Sequence, residues 1–71
     1  MRQVILYPDL EDGGWVAEVP RLPGCISQGD TKDEVLTNVR DAIAVWIAGA
    51  DQAGIEIPED RFEVEVCLVT E

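Results

Sequence analysis

The sequence predicts an α+β fold of order β-β-β-α-β: a three-stranded antiparallel meander, one amphipathic helix and one further strand. Three observations lead there. Two short runs rich in strand-forming residues flank a glycine-bearing loop, the mark of an antiparallel hairpin. A capping motif, Thr31-Lys32-Asp33-Glu34, opens a long stretch whose apolar residues recur three and four apart. A last stretch near the C-terminus alternates apolar and polar residues strictly, the period of a strand. A chain of 71 residues has room for one hydrophobic core, so residues 1–71 are read as a single domain.

The first strand is expected over Arg2 to Tyr7, rich in β-branched and aromatic residues and stopped by Pro8, which has no amide hydrogen for a ladder. Asp9-Leu10-Glu11-Asp12-Gly13-Gly14 reads as the turn. Trp15 to Val19 follows, with Trp15, Ala17 and Val19 on one face and Val16 and Glu18 on the other. Pro20 to Gly24 breaks this strand, and Pro23-Gly24 suits the two central positions of a type II turn. Cys25 to Gln28 is a short third strand closed by Gly29-Asp30.

The helix begins behind Thr31, whose hydroxyl is placed to accept from the Glu34 amide while the Glu34 carboxylate reaches back. Asp33 and Glu34 also sit at the positive end of the helix dipole. Val35, Leu36, Val39, Ala42, Ile43, Trp46, Ile47 and Ala50 trace one apolar stripe. Gly54 is the expected stop. After a loop from Ile55 to Asp60, the last strand runs from Arg61 to Val69. Phe62, Val64, Val66 and Leu68 lie on one side, Arg61, Glu63, Glu65 and Cys67 on the other.

Fifteen acidic residues against five basic ones give a formal charge of −10. Such a surface repels phosphate backbones and anionic headgroups, so direct nucleic-acid binding and membrane association are not expected. A basic protein is the natural complement, although excess carboxylate also serves solubility alone. No run approaches the ~18 apolar residues of a membrane span, and the N-terminus lacks the pattern of a signal peptide. A cytoplasmic location is expected, with Cys25 and Cys67 as two buried thiols. A core this small, with apolar residues to spare, also favours a homo-oligomer.

Histidine is absent, which removes the commonest general base and metal ligand. The two cysteines lack the close spacing of a zinc site, and no phosphate-binding glycine motif is present. No catalytic residue, cofactor or metal is therefore expected. The one route to chemistry is a residual metal-dependent nuclease built on Asp9, Glu11, Asp12 and Glu18; Asp9, Glu11 and Asp12 lie on the first turn, where acidic residues usually form a solvated loop. A self-associating structural module is a further alternative. Candidate partner-binding residues are Trp15, Glu18, Arg21 and Leu22, an aromatic anchor with charge near a strand edge. Ordinary surface is the competing reading for each. Trp46, on the helix stripe, reads as core.

Tyr7-Pro8, the acidic stretch to Gly13-Gly14-Trp15, Val16-Ala17-Glu18-Val19-Pro20, Leu22-Pro23-Gly24-Cys25, Gly29-Asp30-Thr31 and Asp33-Glu34 occur in an order and spacing that resembles the HicB-like antitoxin family. The likeness covers roughly Val4 to Ala50, and its specificity lies in the ordered combination. The resemblance implies a reduced ribonuclease-H-like fold without its catalytic carboxylates. It also implies an antitoxin that binds a small basic RNA-cleaving toxin of the HicA kind and covers its active site. Many members carry an added DNA-binding domain after this unit; here the sequence stops at Glu71, so promoter binding is not expected.

Overall fold

The computed structural model describes residues 1–61 and 63–70. Three strands, β1 (Ile5–Pro8), β2 (Trp15–Glu18) and β3 (Ile26–Gly29), precede one helix, α1 (Lys32–Gln52). The sheet is an antiparallel meander of order β1-β2-β3. Its register sets Leu6 opposite Ala17 and Ala17 opposite Ser27, with Pro8, Trp15 and Gly29 in the next row. The expected meander and helix are present, each boundary within a few residues of its expected place. Pro8 closes β1 instead of stopping it, a position open to proline because β1 is an edge strand.

The turns follow from local chemistry. Asp9 Oδ1 accepts from the amides of Glu11 and Asp12 at 3.0 and 3.1 Å, so the carboxylate itself shapes the first loop. Between β2 and β3 the Cys25 amide bonds to the Leu22 carbonyl and Gly24 has φ +78°, the type II turn that Pro23-Gly24 predicts. At the helix start Thr31 Oγ1 accepts from the Glu34 amide at 3.1 Å. The return bond from the Glu34 side chain is not formed among the described residues, so half of the capping box stabilises this end. At the other end Ile55 and Gly54 donate to the Ala50 and Asp51 carbonyls around Gly54 at φ +70°, a Schellman stop where it was expected.

The core lies between α1 and one face of the sheet. Ala17, Val19, Leu22, Cys25, Val35 and Val39 are buried together, with Val4, Leu6, Trp15, Ala42, Ile43 and Trp46 packed around them. Close approach of sheet and helix depends on Gly29, where an added Cβ would fall 2.5 Å from the Val35 amide nitrogen. The helix is also tied down by polar bonds, from Asn38 to the Gln28 carbonyl at 2.8 Å and from the Trp46 indole to the Pro23 carbonyl at 3.0 Å. Trp46 thus holds the core position read from the stripe. Leu36 departs from that stripe's expected burial, at 39% exposed.

The last strand of the expected order is not shown. Among the described residues no strand follows the helix, and Val66, Leu68 and Val69 stand 88, 101 and 85% exposed. Phe62, the first residue of its apolar side, lies outside the described residues. The physical reason is plain: alternation gives a strand two faces, but a strand exists only once its amides find an edge. Here Pro58 and Asp60 are held against the residues just ahead of β1, where Arg2 Nη1 donates to the Pro58 carbonyl at 2.7 Å and the Gln3 amide to Asp60 Oδ2 at 2.9 Å. Both cysteines are free thiols; Cys25 is buried and Cys67 exposed, so only one of the two expected buried thiols is found.

Candidate functional site

A meander with one helix has two unlike faces. The face bearing Leu6, Trp15, Ala17 and Ser27 looks toward α1. The opposite face carries one row of Ile5, Glu18 and Ile26 and a second of Tyr7, Val16 and Gln28. Among the described residues no helix or strand is packed on this second face. Ile26 is 52% and Tyr7 38% exposed. Single exposed apolar residues are ordinary; several sharing one flat sheet face form a patch of the kind that marks an interaction surface.

The patch is acidic as well as apolar. Tyr7, Val16, Ile26 and Gln28, together with Asp9, Asp12 and Ser27, line a shallow depression of ≈ 610 Å³. The Tyr7 hydroxyl donates to Glu18 Oε1 at 2.6 Å, crossing the β1–β2 pair on the open face. That bond, followed by burial and the charges of Glu18 and Asp9, pushes the Tyr7 hydroxyl above its ordinary pKa. The phenol therefore stays neutral and keeps the Glu18 carboxylate aimed across the sheet. Carboxylates held around aromatic and aliphatic side chains suit the stems and charged heads of arginine and lysine.

The residues proposed from sequence separate in space. Glu18 sits on the open face. Trp15 is on the opposite one, half-buried against the core, with Lys32 Nζ 4.7 Å from its ring centroid. Arg21 is beyond the end of β2, its Nε donating to the Glu59 carbonyl at 3.4 Å. Leu22, at 1% exposed, belongs to the core and presents no side chain to a partner. It is buried because the turn it opens folds under the helix. The sequence reading overlooked Tyr7, Val16, Ile26 and Gln28. Their signal was the second period of each strand, legible only once the face taken by the helix is known.

Among the described residues no three Asp, Glu or Cys side chains converge on a point that would hold a metal ion. The acidic residues of the first loop are spread along it, with Asp9 occupied by two backbone amides. The Cys25 thiol is pushed up by burial, with Arg2 opposing weakly, which keeps it protonated and a poor nucleophile.

An acidic α+β unit with one sheet face buried under a helix and the other left open is the class of protein this geometry defines. A model of the HicB-like antitoxins of bacterial toxin–antitoxin systems matches residues 3–68. The chain belongs to that family. It is 40% identical over 63 residues to a UPF0150 protein of Thermoplasma acidophilum, covering 89% of this chain and 91% of that one. A UPF0150 protein of Synechocystis is 48% identical over 62 residues, covering 87% of this chain and 77% of that one. An uncharacterised 14.9 kDa protein of Haemophilus phage HP1 is 38% identical over 60 residues, 80% of this chain but 45% of the phage protein. No solved structure matches the chain.

Proposed function

We propose that the protein is an antitoxin that acts by occupancy, laying its acidic open sheet face over a small basic RNA-cleaving toxin of the HicA kind and closing the toxin's active site. It performs no reaction in doing so, uses no cofactor, and makes no direct contact with nucleic acid. Family membership supports the antitoxin role. The observation that carries the choice of surface is the open face itself, where Tyr7 and Ile26 are exposed beside Glu18. The −10 charge supports a basic partner, through faster encounter and rejection of acidic competitors. Such a pair meets in the cytoplasm, where the toxin's RNA substrates are. Along the described residues no helix is long and apolar enough to cross a membrane.

The test is to titrate the purified chain against the small basic protein encoded beside it while following RNA cleavage. Cleavage should fall to zero near equimolar ratio, and binding should weaken as salt is raised, because opposite surface charges are screened. Cleavage that persists at saturating ratios rules out the pairing.

A further inference from the structure

The open face does not stop at the outer edge of β3. One depression of ≈ 400 Å³ is lined by Ile5, Glu18, Ile26 and the Pro23-Gly24 turn. A second, of ≈ 310 Å³, takes over at Gly24, Cys25 and Ile26 and reaches Val45 and Trp46 on the helix. A third, of ≈ 360 Å³, continues from Val45 and Trp46 past Gly49 to Ile55. Shared lining residues make the three one belt, from the sheet round to the last turns of α1. The Trp46 indole, bonded to the Pro23 carbonyl at 3.0 Å, fixes turn and helix to each other along it.

Three residues at the helix end of this belt are not explained by the chain's own packing. Val45 is 73% exposed, and a β-branched side chain on the outer side of a helix adds neither packing nor helix propensity. Ile55 follows the Gly54 stop, where a hydrophobic residue packs back on the last turn; yet 59% of it stays exposed. Gly49 lies inside α1 without a positive φ, and an added Cβ there would meet nothing within 4 Å among the described residues. Glycine weakens a helix interior, and no turn or close contact among the described residues requires it here. A missing side chain beside Val45 and Ile55 instead lets a partner's backbone come close.

The charge around the patch selects the partner. None of the five basic residues lines the belt, whereas Arg2 and Arg40 line the groove on the β1 side. The last turn of α1 has no basic residue, while Asp51 and Glu56, next in sequence to Ala50 and Ile55, are exposed. The negative end of the helix dipole is thus reinforced, not offset. An apolar pocket with an acidic rim suits an apolar side chain flanked by lysine or arginine.

We propose that the basic toxin grips the chain at this second place. One of its apolar side chains enters between Val45 and Ile55, its backbone lies against Gly49, and its lysines or arginines meet Asp51 and Glu56. This second grip rests on the antitoxin reading and carries the footprint from Ile26 round to the end of α1.

Calorimetric titration of the neighbouring basic protein into the full chain and its variants tests the grip. Val45→Lys puts a good helix former at an exposed position and should lower affinity about tenfold, with helical circular dichroism intact. Gly49→Leu should raise the thermal midpoint of the free chain and still lower affinity about tenfold, a pairing that no purely structural role produces. Asp51→Asn/Glu56→Gln should weaken binding and flatten its dependence on salt. If Val45→Lys does not fold, Gly49→Leu decides. Wild-type affinity in folded Val45→Lys or in Gly49→Leu, with Ile26→Asp impaired, overturns the second grip and leaves the antitoxin reading standing. Absence of binding by the wild type sinks both. Unchanged affinity and salt dependence in Asp51→Asn/Glu56→Gln overturn the basic occupant, and a Val45→Lys that alters only the mass of the free chain gives the patch to another copy.

Discussion

Strand β2 and the stretch after Asp60 have the same alternating grammar and opposite fates. In β2 and just beyond it, Ala17 and Val19 are 0 and 3% exposed; in the C-terminal stretch Val66 and Leu68 are 88 and 101% exposed. The difference is in the neighbours. Strand β2 has β1 and β3 on either side and a helix below, so each apolar residue it turns inward meets a packed surface. Among the described residues the C-terminal stretch has none of these neighbours. Alternation specifies which residues share a face, and it leaves open what that face meets.

The contrast is sharpest in stability. Leu22→Ala, inside the core, should cost ~2–5 kcal/mol by lost burial and the cavity left behind. Leu68→Ala, at a fully exposed side chain, should stay within ~0.5 kcal/mol. Urea unfolding of both variants checks this, and a large loss at Leu68 would mean that the tail is packed within one chain. Next in size is Gly29→Ala, whose added methyl meets the Val35 backbone at 2.5 Å. Sheet and helix must part there, at about 1–3 kcal/mol by the usual cost of overpacking. Thr31→Ala removes one cap acceptor and should cost ~1 kcal/mol, read from the same unfolding curves.

How much of this was legible beforehand follows from the same distinction. Patterns closed within a few residues were read correctly: the Thr31 cap, the Pro23-Gly24 turn, the Gly54 stop and the meander. Each depends on backbone chemistry between near neighbours. Leu22 was misread because its burial depends on how the turn folds under α1, a contact distant in sequence. Tyr7 and Ile26 were overlooked because a strand's outer face becomes a surface only after the helix has chosen the other one. The final strand needs an edge to pair with, and no local pattern announces whether one is there.

The smallest effect concerns the open face. The Tyr7 hydroxyl, held up mainly by its bond to Glu18, should titrate above the ordinary tyrosine value of about 10. A group whose folded pKa is raised contributes stability in full below its unfolded pKa. That contribution is lost as pH climbs through the folded value, so it is present at neutral pH and disappears only in alkali. Ultraviolet titration of wild type and Glu18→Gln checks it: the tyrosine midpoint should fall toward the ordinary value in the variant. An unchanged midpoint would mean that the Tyr7–Glu18 bond does not hold in solution.

The most direct test of the open face as the working surface is the affinity of the neighbouring basic protein for Ile26→Asp, compared with Leu36→Asp on the helix. Ile26→Asp should abolish binding, with the helix content of the free chain unchanged, while Leu36→Asp should leave binding intact. Full affinity in Ile26→Asp, or loss confined to Leu36→Asp, would place the partner on the other side of the molecule.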